Sequence, residues 1–312
     1  MEATNFIFTC DDATPLYGYK WAPDGDPRGM IHIVHGLAEY GARYDRTARA
    51  LADRGYLVYA HDHRGHGLTA AAPERCGMFA ERDGWNRAVK DIRLLIESER
   101  RENPALAMIV LGHSMGSFMV QQMMYEHPEL MDACALSGST GKASFRITIL
   151  RVVAHFERMR IGGHGRSTLL HKLSLDFANK AFQPTRTRFD WLTRDRTEVD
   201  KFDKDPLCGW VGTSQLWVDL ISGSLAAARP ENRRRVPADL PVYIFAGTQD
   251  PVSDGCKGLH FLIDSFRRAG MTDIRYKFYT NGRHEMLNET NRDEVVGDLL
   301  LWLDDVSRKK RT

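Results

Sequence analysis

The stretch Gly112-His113-Ser114-Met115-Gly116 sets a serine between two glycines, directly after the apolar run Met108-Ile109-Val110-Leu111 and before a helix-forming run. A serine on a sharp strand-to-helix turn projects its hydroxyl clear of the sheet, and the glycines remove side chains that would collide there. That pattern is a nucleophile elbow; the alternative is a chance Gly-x-Ser-x-Gly in an unrelated loop. A serine hydroxyl becomes nucleophilic only when a base takes its proton, and the base needs a carboxylate to hold its tautomer. Asp250 follows the apolar run 241–246 and His284 follows the run 274–279. All three groups therefore stand just past the ends of predicted strands, in the order nucleophile, acid, base. Asp254 is the alternative acid, and His113 reads as a packing neighbour. Together these residues are equipped for acyl transfer, which also needs donors for a developing oxyanion. The backbone N–H of Met115 supplies one, and the loop His35-Gly36-Leu37 supplies the other through Leu37. Glu39 and Arg43, four residues apart, either pair with each other or face the polar end of a substrate.

The elements that must position these groups alternate. Short strands are predicted at 6–8 and 17–21 around the turn Asp11-Asp12-Ala13-Thr14-Pro15, then apolar strands at 30–34, 57–60, 108–111, 133–136, 242–246 and 274–279. Between them, helical spacing runs over 44–54, 84–101, 115–126, 258–269 and 293–306, with Gly55 and Asn103-Pro104 as stops. Alternating strands and helices predict a mostly parallel central sheet flanked by helices on both faces. The alternation breaks near 139. Residues 140–236 read as an inserted helical cap, or lid, between core segments 1–139 and 237–312. Phe145, Ile149, Val152, Phe156 and Met159 line one helical face there, and the expected arrangement packs that face on the protein with a solvated basic side. The alternative use of such a helix is a membrane surface.

At 312 residues, with 43% hydrophobic and 27% charged residues, the chain has the composition of a globular protein with a sizeable core. Its net charge of +2 gives no reason to expect nucleic acid as a partner. The charge is uneven: residues 140–236 carry 18 Lys and Arg against 10 Asp and Glu. The run Arg233-Arg234-Arg235 reads as a solvated boundary. No run approaches the ~18 apolar residues of a membrane span and no signal peptide is seen at 1–5, so a cytoplasmic protein is expected. The cysteines at 10, 76, 134, 208 and 256 lack metal or CxxC spacing and read as free thiols. The loop His61-Asp62-His63-Arg64-Gly65-His66-Gly67 invites a metal reading, but no second ligand group has matching spacing, so it reads as scaffold. Neither cofactor nor metal is expected. The tail at 308–311 is expected to fray.

Taken together, His35-Gly36-x-x-Glu39, His61-Asp62-His63-Arg64-Gly65-His66-Gly67-x-Thr69, Gly112-His113-Ser114-Met115-Gly116, Asp250-Pro251-Val252 and His284-Glu285 resemble the monoacylglycerol lipase and lysophospholipase group of α/β-hydrolases, within the serine aminopeptidase family. The resemblance spans about 15–305. It implies an α/β-hydrolase fold, a triad of Ser114, Asp250 and His284, and a cap acting as a lid over an acyl tunnel. It also implies that Glu39 and Arg43 lie near a head group. Leu37 stands where the animal lipases have a small residue. The expected activity is hydrolysis of single-chain lipid or short acyl esters, with a small-molecule ester as ligand and the basic cap touching anionic membrane. The competing expectations are an aminopeptidase, with Asp195, Glu198 and Asp200 receiving an amine, and a non-catalytic binding protein.

Overall fold

The apolar runs become strands buried at every position: β3 (Gly29–Val34), β4 (Tyr56–His61), β5 (Met108–His113), β6 (Ala133–Ser137) and β7 (Val242–Gly247). The computed structural model describes residues 2–142 and 145–309, with the side chains of Phe145 and Lys309 outside that description. Of the tail expected to fray, residues 308–309 instead close the C-terminal helix, and 310–311 lie outside the described residues. With β1 (Thr4–Thr9), β2 (Pro15–Trp21) and β8 (Ile274–Tyr279), these strands form one sheet in the order β1-β2-β4-β3-β5-β6-β7-β8. Among the described residues the pairs β1–β2 and β2–β4 are antiparallel and the other five pairs are parallel, so the expected mostly parallel sheet is what forms.

Side chains alternate across a strand, and β5 shows the consequence. Met108 and Val110 enter a core shared with α2 (Gly84–Glu102) and α3 (Met115–Glu126). Ile109 and Leu111 enter the opposite core, closed by α1 (Asp45–Ala52) and a C-terminal helix at 292–309. Burial on both faces is why these strands carry no polar alternation. The same parallel geometry delivers the C-terminal ends of β3, β5, β7 and β8 to one edge.

Between β6 and β7 the described residues form helices, turns and one isolated β-bridge: α4 (Phe145–Ile161), α5 (Arg196–Lys204) and α6 (Ser214–Ala227) are the long helices, with turns and bends over 183–195. After β7 come α7 (Lys257–Arg268) and α8 (Arg292–Lys309). Two expectations are corrected here. The stripe expected to pack inward on α4 faces outward: Ile149, Val152, Phe156 and Met159 are exposed, Met159 at 79%. The side chain of Phe145 lies outside the described residues. Ala154 is fully buried instead and packs with Trp217, Val218 and Ile221 of α6, with Ile147, Leu150 and Val153 beside it. Arg233, read as solvated, is 3% exposed because its guanidinium donates to Ser265 Oγ and the Gly141 carbonyl. Arg234 and Arg235 are exposed. All five cysteines are buried and free.

Candidate active site

Ser114 sits between β5 and α3 with φ +50° and ψ −117°, a left-handed conformation that costs a non-glycine residue about 1–3 kcal/mol and is held by its surroundings. Those surroundings leave no room for side chains. A Cβ on Gly116 would lie 2.1 Å from the Val34 carbonyl oxygen, and one on Gly112 would lie 2.7 Å from that of Gly116. The Ser114 N–H donates to the Ser137 carbonyl at 2.9 Å, and Ser117 Oγ donates to the Ser114 carbonyl at 2.6 Å.

The structure brings Asp250 and His284 together: Asp250 Oδ1 accepts from His284 Nδ1 at 2.9 Å and from the Val252 N–H at 2.9 Å. That contact leaves His284 Nε2 as the basic atom. Burial disfavours charge on His284, but the Asp250 carboxylate, its hydrogen bond and the more distant Glu285 and Glu39 outweigh it. The imidazole is therefore raised above its ordinary 6.5. Ser114 and His284 make no hydrogen bond within 3.5 Å, while both line one cavity of about 940 Å³. A nucleophile–base hydrogen bond often forms or tightens only in the complex with substrate. Asp254, the alternative acid, is exposed and pairs with Lys257 at 3.8 Å.

Among the described residues neither the Leu37 nor the Met115 N–H has a protein acceptor. Both residues line the cavity beside Ser114, and a Cβ on Gly36 would lie 3.2 Å from the Ser114 Cβ. Glu39 and Arg43 do pair, at 2.5 Å. Glu39 Oε1 also accepts from the Gly36 N–H at 2.6 Å and the Tyr44 hydroxyl at 2.9 Å. Arg43 reaches across to Glu285, the neighbour of His284, with two bonds of 2.8 and 2.7 Å. One cation thus ties the loop after β3 to the loop carrying His284. Burial opposes ionisation of both carboxyls; Arg43 overcomes it at Glu285, held at about 2, while Glu39 stays above its ordinary value. Glu39 lines the cavity and Arg43 does not.

Several contributors escaped the sequence. Trp191 lies against the His284 ring, with centroids 4.8 Å apart, and nothing periodic around it marks that role. Gly138, with φ +56°, passes so close that a Cβ there would lie 2.9 Å from His284 Cε1. The segment between β6 and β7 also holds both loops by backbone: Glu285 N–H donates to the Leu192 carbonyl and Gly209 N–H to that of Ala38. The rest of the cavity is mainly apolar, including Phe118, Leu150, Leu175, Phe189 and Trp217. Asp195, Glu198 and Asp200 do not line it; they pair with Arg292, with Arg46 and Lys201, and with Arg186.

The chain matches the serine aminopeptidase S33 family over residues 25–291. It is similar to the monoacylglycerol lipase of Mycolicibacterium smegmatis, 28% identical over 286 residues, 91% of this chain and 90% of that protein. It is also similar to the human monoglyceride lipase, 26% identical over 94% of this chain and 88% of that protein. Among solved structures, a thermostable carboxyl esterase from Bacillus coagulans, in complex with glycerol, superposes with a TM-score of 0.90 at 23% identity, covering 98% of this chain and 99% of that one. At that identity the likeness speaks for the fold: an α/β-hydrolase.

Proposed function

The chain belongs to the serine aminopeptidase S33 family, and from that premise we propose that it hydrolyses carboxylic esters of single-chain lipids, monoacylglycerols or lysophospholipids among them, or short acyl esters, through an acyl-enzyme on Ser114. The observation that carries this is the pairing of His284 with Asp250 in the same apolar cavity as a serine on a strained turn. Ser114 Oγ attacks the ester carbonyl while His284 Nε2 takes its proton and Asp250 stabilises the imidazolium. The N–H groups of Leu37 and Met115 receive the oxyanion. The alcohol leaves with the proton from His284, and water then releases the acid by the same route. About 940 Å³ is at the upper end for a small-molecule site, and its apolar lining suits an acyl chain.

The test is Ser114→Ala on a nitrophenyl ester, with fluorophosphonate labelling of the wild type. Turnover and labelling should both depend on Ser114; an unimpaired variant refutes the assignment, and absent labelling returns the chain to a binding role. The aminopeptidase alternative needs an acidic pocket for the free amine. The carboxylates it would use are committed to Arg and Lys partners outside the cavity, so a monoacylglycerol should turn over faster than a prolyl amide.

A second part of the proposal concerns α4. No helix among the described residues is long and apolar enough to cross a membrane. The outward stripe Ile149, Val152, Phe156 and Met159, with exposed Arg151 and Arg158 beside it, supports docking of the cap on anionic lipid. Phe156→Ser should weaken flotation with phosphatidylglycerol vesicles and leave the melting temperature unchanged. Binding indifferent to salt and to anionic lipid would count against it.

A further inference from the structure

Behind the loop after β3 lies a line of buried imidazoles that the triad does not use. It begins at Glu99 on α2, whose carboxylate oxygens are 2.8 and 3.0 Å from His32 Nδ1. His32 Nε2 meets His61 Nδ1 at 2.9 Å, and His61 Nε2 meets His63 Nδ1 at 3.0 Å. His63 Nε2 lies 3.2 Å from the His35 carbonyl oxygen, and the His63 N–H donates to His35 Nε2 at 3.0 Å. His35 Nδ1 ends the line, 2.8 Å from the Gly36 carbonyl oxygen. All four imidazoles are at most 1% exposed.

The direction of this line follows from its two ends. A carbonyl oxygen only accepts, so His63 carries its proton on Nε2 and His35 on Nδ1. Burial, reinforced by the neighbouring imidazoles, lowers the pKa of His35, His61 and His63, so each is neutral and carries one ring proton. His63 Nδ1 then accepts, so His61 donates from Nε2 and accepts at Nδ1, and His32 donates from Nε2. His32 Nδ1 and Glu99 share one further proton.

At the near end two consecutive peptide units are held differently. In the unit His35–Gly36, the oxygen accepts from His63 and the N–H donates to Glu39. In the unit Gly36–Leu37, the oxygen accepts from His35 and the Leu37 N–H has no protein acceptor among the described residues. We propose that His35, locked by His63 and the imidazoles behind it, is a positioning residue that sets the Gly36–Leu37 peptide plane and so aims the Leu37 N–H at the oxyanion. The proposal rests on the reading of Ser114 as nucleophile and Leu37 as donor. A donor on the peptide oxygen also polarises the N–H at the other end of the same unit. An aligned donor needs no reorganisation as charge develops.

His35→Gln removes the Nδ1 donor while its longer amide still reaches toward the His63 N–H. His35→Asn keeps a donor near the Nδ1 position. With active sites counted by fluorophosphonate titration, H35Q should lose about 10- to 100-fold in kcat, less than the ~10²–10³ for deleting an oxyanion donor outright. KM should hold, affinity for an alkyl trifluoromethyl ketone should fall by the same factor, and H35N should recover most of both. A ¹⁵N-histidine spectrum of the wild type should show His35 as the Nδ1–H tautomer and His61 and His63 as Nε2–H. An H35Q enzyme that melts earlier but keeps kcat and ketone affinity overturns the proposal, as does an Nε2–H tautomer at His35. Should H35Q not fold, H35N and the wild-type spectrum decide. Wild type insensitive to the ketone, or S114A still active, sinks the underlying reading and this proposal with it; a sensitive wild type with an indifferent H35Q sinks this proposal alone.

Discussion

Replacing Arg43 by methionine keeps the reach of the side chain and removes the guanidinium charge that Glu39 and Glu285 share. The guanidinium makes three bonds of 2.5, 2.8 and 2.7 Å to these carboxylates. The side chains of Arg43, Glu39 and Glu285 are 10%, 4% and 6% exposed, so solvent screens little of the interaction. Breaking a buried ion pair by removing one partner costs about 3–5 kcal/mol, chiefly because the remaining charge is uncompensated. Glu39 keeps the Gly36 N–H and Tyr44 hydroxyl, and Glu285 keeps Asn288 Nδ2 at 2.9 Å, so about 3 kcal/mol is expected at pH 7. The sign with pH follows from the pair. In the wild type Arg43 holds Glu285 at about 2 despite burial, so its contribution is present above the ordinary 4.5 and is lost only as pH falls toward 2. Without Arg43 the main counterweight to burial is gone, the remaining hydrogen bonds oppose it only in part, and both carboxyls titrate higher. Lowering the pH from 7 toward 5 then favours their protonation and narrows the gap between R43M and wild type. The triple variant R43M/E39Q/E285Q, with no orphaned charge, should recover most of the loss. Urea unfolding with linear extrapolation measures each quantity. An R43M protein within about 1 kcal/mol of wild type at pH 7 would refute the reasoning, since surface pairs give that little. A raised KM for monoacylglycerol but not for a nitrophenyl ester, at unchanged stability, would return Arg43 to a head-group role.

Asp250→Asn should lower kcat on the order of 10⁴-fold by releasing the His284 tautomer, as for the corresponding aspartate in serine proteases. Because Asp250 raises His284 above 6.5 and the base acts when neutral, the acid limb of kcat/KM should fall above pH 6.5 in the wild type. In D250N it should move to lower pH; a limb that does not shift refutes the assignment. Gly116→Ala puts a methyl 2.1 and 2.5 Å from the Val34 and His35 carbonyl oxygens and should cost more than about 4 kcal/mol or leave no soluble protein. Gly297→Ala, on α8 with nothing within 4 Å, should instead stabilise by about 0.5–1 kcal/mol in thermal melts.

Chain order and local pattern carried most of what could be read without coordinates. Strands buried on both faces must be apolar runs, and parallel strands joined by helices must return their ends to one edge. Ser114, Asp250 and His284 could therefore be named as candidates from position alone, as could the loop holding Leu37. The glycine at 112 was legible for a local reason, since a Cβ there would meet the Gly116 carbonyl; Gly116 was legible from the same motif, although what excludes a side chain there is the remote Val34 carbonyl at the end of β3. What the tertiary structure alone decided involves choices between remote partners. Arg43 and Glu285 are separated by 242 positions, and no periodicity says which of several carboxylates a cation meets. The α4 pattern announces an amphipathic helix, but which side meets α6 depends on the shape α6 offers, and Ala154 permits the closer approach. Arg233 looks solvated in a basic run until the Gly141 carbonyl and Ser265 are folded over it. The imidazole line is the sharpest case: its members are visible as scattered histidines, and only folding decides which nitrogen of each becomes the donor.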